Sequence, residues 1–163
     1  MKFLRFLLLL IILHAVFIWF QLYQTLPDSV ISQVNGSGQP VGTMAKNAFM
    51  ILHLGLLSGM AILFGMPKQI FLKIPTSLWN IPNREYWLSN ENKSSTFDKM
   101  ESMMLAMGVA VCGFIHYMVS EVILINLGKS IHTSKMVLLT VAFVLFCLIW
   151  SGWFFFQFRK PKT

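Results

Sequence analysis

The sequence predicts an all-α membrane protein: a bundle of four transmembrane helices, with an outer loop after the first helix and an amphipathic cytoplasmic segment between the second and third. Three observations carry this expectation. Of the 163 residues, 56% are hydrophobic, and mean hydropathy is +0.66; a soluble domain of this length cannot bury that much, so the excess must face lipid. The apolar residues fall into runs of spanning length, at residues 6–22, 48–66, 103–127 and 136–158. The 13 Lys and Arg against 6 Asp and Glu lie at the ends of those runs, where they act as topology signals. That placement argues against nucleic acid as a partner and makes the lipid bilayer the first one.

The first run follows Lys2 and Arg5 and is short for a span. The bulky residues after it offer no small-x-small cleavage site, so it reads as an uncleaved signal anchor, with Trp19 and Tyr23 in the outer interfacial belt. Residues 24–46 are polar, and Gly36, Gly38, Pro40 and Gly42 break any long helix, which makes this stretch an external loop. The second run carries no formal charge and ends at Pro67.

Residues 69–99 mix Phe71, Leu72, Ile74, Leu78, Trp79 and Trp87 with Pro75, Pro82, Lys73, Arg84 and Glu85. Prolines and charges forbid a span there, and the mixture suits a segment lying in the headgroup plane, with 89–98 projecting into the cytosol. Lys2, Arg5, Lys68, Lys73, Arg84, Lys93, Lys99, Arg159, Lys160 and Lys162 fall inside, against Lys46, Lys129 and Lys135 outside. The positive-inside rule then puts both termini in the cytoplasm, in one four-helix domain over 1–163.

Two stretches carry a family resemblance. Leu26-Pro27-x-x-Val30, followed by Gly38-x-Pro40 and Lys46, is similar to a pattern LP-x-x-V-x-x-H-F…G-x-P…K. Asn80-Ile81-Pro82-Asn83-Arg84-Glu85-Tyr86-Trp87-Leu88 is similar to N-(I/L)-P-N-(K/R)-x-Y-W-L. In this order they resemble the bacterial domain of unknown function 1648 (DUF1648) family, whose members include the N-terminal part of a membrane immunity and signalling protein. Gln33 and Val34 replace the pattern's histidine and aromatic residue, so no chemistry attached to that histidine carries over. The resemblance implies a multi-pass protein of the bacterial cytoplasmic (inner) membrane with a sensing, immunity or accessory role, and a membrane or soluble protein as partner. It implies no reaction.

Ionisable residues inside spans are costly and are functional candidates by default. Here they are His14, His53, His116 and Glu121, with Asn126 near the outer end of the third span. Counting along ideal helices puts His14 and His116 near mid-bilayer, with His53 roughly 6 Å and Glu121 roughly 9 Å nearer the outer side. His116 and Glu121 lie about 140° apart on one helix, so the carboxylate needs a partner from another helix, His53 or His14. His53, His116 and Glu121 are therefore the candidates for a ligand or proton pathway. The competing reading is that these groups only hydrogen-bond helix to helix.

Gly55-x-x-x-Gly59 lets helix backbones approach closely, and Ala106, Ala110 and Gly113 give the third span a small-residue stripe for it to pack against. Cys112 and Cys147 sit in apolar runs as small hydrophobes. His132 falls in the short loop between the last two spans. No nucleophile, phosphate-loop or zinc-spacing motif is readable, so neither an enzyme nor a metal or other cofactor is expected. The leading expectation is a sensing, immunity or accessory component; the alternative is a small ion- or proton-coupled transporter using Glu121 and the intramembrane histidines.

Overall fold

A computed structural model describes residues 1–129 and 133–159; His132, Lys160 and Lys162 lie outside the described residues. Four helices are long and apolar enough to cross a membrane: α1 (Lys2–Leu22), α2 (Lys46–Gly65), α5 (Lys93–Asn126) and α6 (Thr133–Gln157). Between them come a hairpin of β1 (Ser29–Val34) and β2 (Pro40–Ala45), then the short helices α3 (Pro67–Phe71) and α4 (Arg84–Trp87) with a 3₁₀ turn at Thr76–Leu78. The helices alternate in direction, so the hairpin lies at one end of the bundle and Arg5, Gly65, Glu101 and Phe158 at the other.

Helices α1, α2 and α5 form the packed core. Leu8 and Ala15 of α1, Leu57 of α2, and Leu105 and Cys112 of α5 make its centre. Within α1 and α5 these residues are spaced by seven, which keeps them on one face of a helix. Helix α6 stands apart. It packs on α5, through a stacked Phe114–Phe143 pair with centroids 4.1 Å apart, and no residue of its most apolar stretch is buried. The arrangement is thus three helices plus one outlying helix rather than an even four-helix bundle.

The loop after α1 is a hairpin, which corrects the all-α expectation. Val30 of β1 is fully buried between the ends of α1, α2 and α5, among Trp19, Leu26, Phe49, Val122 and Ile123. The glycines and Pro40 that disfavour a helix are placed as a hairpin needs them. The Asn35 side-chain oxygen accepts bonds from the Ser37 and Gln39 amides at 3.0 and 2.9 Å, Gly38 takes φ +81°, and Pro40 opens β2, where the missing N–H costs nothing.

The hairpin is held at its first strand and at its base. Asn126 uses its amide as a backbone surrogate, accepting from the Ile31 N–H at 2.7 Å and donating to the Ile31 carbonyl at 2.9 Å. Lys46 donates to the Leu26 carbonyl at 3.1 Å, pairs with Asp28 at 3.3 Å, and lies 4.7 Å over the Tyr23 ring.

Helix α5 begins at Lys93, ten residues before the apolar run that announced it. At 34 residues it is about 50 Å long, against roughly 30 Å for a hydrocarbon core. The stretch expected to project outward is instead partly buried: Thr96 and Phe97 are covered, and Phe97 packs with Phe71, Ile81, Met100, Met103 and Phe158. The segment 69–99 is therefore folded under the bundle.

The glycine expectation is also corrected. A Cβ at Gly55 or Gly59 meets nothing within 4 Å, because both sit on the exposed face of α2. Close approach of α2 and α5 occurs at Gly108, where a Cβ would fall 2.3 Å from Cβ of Phe64. A Cβ at Gly113 is only in ordinary contact, 3.9 Å from Ile11. Gly108→Val is accordingly expected to destabilise the fold by about 1–3 kcal/mol, the usual range for overpacking. Gly55→Ala and Gly59→Ala should leave it unchanged or slightly firmer. Thermal melting in detergent compares the three.

Candidate functional site

The inward faces of the core helices carry the site. On α2, His53 lies one turn after Phe49 and one before Leu57, all three buried. On α5, His116 lies one turn after the buried Cys112, and on α1, Trp19 lies one turn after the buried Ala15. His14 is at the edge of the α1 stripe and stays exposed. Three helices thus bring three imidazoles and one indole together.

They form a continuous chain. Trp19 Nε1 donates to His53 Nδ1 at 2.9 Å. His53 Nε2 faces His116 Nδ1 at 3.4 Å, with the two rings stacked 5.4 Å apart. His116 Nε2 faces His14 Nδ1 at 2.7 Å, with the rings edge to face. The indole nitrogen is a donor only, and a neutral imidazole carries one N–H. Trp19 therefore makes His53 Nδ1 the acceptor and puts the His53 proton on Nε2, which then donates to His116 Nδ1. The same logic passes to His14, so one end of the chain fixes every tautomer in it.

The members of the chain are legible in the sequence; their order is not. The depth difference counted along ideal helices does not keep His53 from His116. Trp19, placed by its sequence position in an interfacial belt, is 2% exposed and is the chain's anchor. Glu121 stands apart: it lies beside Tyr117, one turn earlier on α5, and no bond joins it to a histidine among the described residues. The two nitrogens of His116 face different histidines, so the lone pairs do not aim at one point. No group of three His, Cys, Asp or Glu suited to a metal ion occurs among the described residues.

A second polar cluster lies outside the expected candidates. Glu101, 3% exposed, is bound by the Arg5 guanidinium, whose Nε also donates to the Gly65 carbonyl at 3.3 Å. Arg5 so joins the end of α2 to α5. Lys68 pairs with Asp98 at 2.5 Å, and that hydrogen bond holds the Lys68 ammonium above its usual pKa. The signal for Glu101 was present in Phe97, which continues the apolar stripe of α5 four residues before it. A hydropathy window stops at the first charges and cannot see this.

The remaining motif residues are structural in this fold. Asn83, with φ +54°, and Trp87 donate to the Phe158 carbonyl at 3.3 and 2.8 Å, and Lys99 donates to the Gln157 carbonyl at 3.0 Å. These donors meet the free carbonyls at the end of α6. Asn80 and Tyr86 border an open cleft of about 480 Å³ on the same segment, and Pro82 is half-buried beside Ile81. Leu26 seals the hairpin seat, while Pro27 and Gln33 are exposed.

No family model matches the chain, and no curated protein or solved structure matches it either.

Replacement of His116 by Phe removes both imidazole contacts and is expected to cost about 1–3 kcal/mol, the penalty for stranding buried partners. Glu121→Gln should stay within about 0.5 kcal/mol, as for positions outside such networks. Unfolding in mixed detergent separates the two.

Proposed function

We propose that the chain is a multi-pass protein of the bacterial cytoplasmic membrane, related to the domain of unknown function 1648 family, that works as a sensing, immunity or accessory component. Both termini are cytoplasmic in this reading, and the hairpin faces outward. The observation that carries it is the way the hairpin is held. Asn126, Lys46 and the buried Val30 fix its base to three helices, while its tip and outer strand face stay exposed. A loop that only linked two spans needs no such anchoring, whereas a surface presented to a partner does. The orientation is supported by the excess of Lys and Arg at the end opposite the hairpin. Exposed Leu72 and Leu78 beside basic residues suit a segment resting on the headgroups.

Transport through the histidines meets a chemical obstacle in this arrangement. The chain ends on an indole N–H, which gives up no proton to its neighbours, and Glu121 lies outside it.

Two measurements test the reading. Gly36→Cys should react with an impermeant thiol reagent on intact cells, and Glu91→Cys only after permeabilisation; the reverse pattern inverts the topology. Full-length protein purified in mild detergent should retain a stoichiometric partner, and shortening the tip at 35–38 to a two-residue turn should reduce that retention at least tenfold. A chain that purifies alone in both forms, with unchanged cellular phenotype, sinks the proposal.

A further inference from the structure

The histidine chain has a property that follows from counting its protons. Three imidazoles offer six ring nitrogens, and the two His–His contacts each need one proton between the facing atoms. The neutral chain holds three protons: two lie in those contacts and the third sits at one free end. Trp19 presents its N–H to His53 Nδ1, so the third proton is on His14 Nε2. A fourth proton has one vacant place, His53 Nδ1. That is the atom Trp19 occupies.

We propose that the three imidazoles form a binding site for a single proton, and that its occupancy excludes the Trp19–His53 hydrogen bond and so releases the seat of the hairpin. The exclusion holds wherever the added charge resides. With His14, His116 or His53 carrying it, keeping both His–His contacts leaves an N–H at each end of the chain. The indole N–H then points at another N–H and must move.

Trp19 couples this event to the hairpin. Its ring packs edge-to-face on Phe49 at 5.8 Å and belongs to the cluster of Leu26, Val30, Val122 and Ile123 that seats β1. A cleft of about 550 Å³ between α1 and α2 is lined by Tyr23 and Gln24 near the hairpin end, then by Trp19, Met50, Leu54 and Val16. The indole thus borders this cleft and bonds His53 on its inner side.

The groups facing the chain are few. From α1 and α2 they are Trp19 and the histidines themselves; on α5, Cys112, Tyr117 and Glu121 make no hydrogen bond to an imidazole. Arg5, Lys46 and Glu101 are engaged at the helix ends. Among the described residues no carboxylate hydrogen-bonds an imidazole, so a second added proton would bring two uncompensated charges together and the site takes one. The use of the change rests on the sensing role proposed above; the proton site itself rests only on the chain's geometry.

The test is nitrogen-15 NMR on the full chain in lipid nanodiscs, with labelled tryptophan, histidine, valine and isoleucine. The indole signal lost in Trp19→Phe identifies Trp19. Lowering the pH from about 8 to about 4, through the usual imidazole range and below it, is expected to move that signal out of its hydrogen-bonded position with a one-proton slope. The amides of Val30 and Ile31 should shift with the same midpoint. In His53→Gln the side-chain oxygen still accepts the indole bond but takes no proton, so the transition should vanish. The histidine nitrogen signals of the unaltered protein give the same answer without a variant: His53 Nδ1 should be unprotonated at high pH and protonated through the transition. Histidines that titrate while Trp19 stays bonded, or that do not titrate at all, overturn the proposal. Neither result bears on whether a partner co-purifies, so the two proposals fail separately.

Discussion

A polar side chain inside an apolar bundle must find its partner within the bundle, and in this protein the long helix α5 supplies the partners. Glu101 receives Arg5 near one end, His116 receives His53 and His14 in the middle, and Asn126 receives the backbone of β1 at the other. Lipid offers these groups nothing in exchange, so each fixes the neighbouring element both in position and in depth. The three levels together place α1, α2 and the hairpin on one helix.

The apolar packing follows from that placement. Leu8, Ala15, Leu57, Leu105 and Cys112 interdigitate between the levels, and Gly108 sets how closely α2 approaches α5. Helix α6 brings no buried polar group to the middle of α5. It is tied at its end instead, where Asn83, Trp87 and Lys99 donate to its last carbonyls. This difference explains why three helices pack tightly and the fourth remains outlying. In a bilayer, apolar side chains gain little by leaving lipid for one another, so a helix without polar or close small-residue contacts has weak cause to pack.

The middle level is the most constrained. A hydrogen bond usually leaves its tautomer open to the surroundings, but the indole at the head of the chain can only donate, and that choice propagates through three rings. One tryptophan thereby belongs to two structures: it directs the histidine chain and it packs under the hairpin. Any change of proton count at the centre is felt at the surface through the same residue. The hairpin is tied to the helices by Lys46 and Asn126 as well as by that seat.

The sequence by itself determined the four apolar helices and the candidate histidines, because span length and the cost of an ionisable group in lipid are local properties of a chain. The turn residues around Gly38 were equally legible, although their product was a hairpin rather than an irregular loop. Only the tertiary structure decided which polar groups meet. Ring contacts of a few ångströms depend on helix rotation and tilt, and a rise per residue cannot encode either; this is why His53 reaches His116 and Glu121 reaches neither. It also decided that Gly108 rather than Gly55 or Gly59 makes the close approach, and that Glu101 is buried. A glycine motif does not say which way it faces, and a charge at the edge of a span reads as solvent-exposed until another helix brings its arginine alongside.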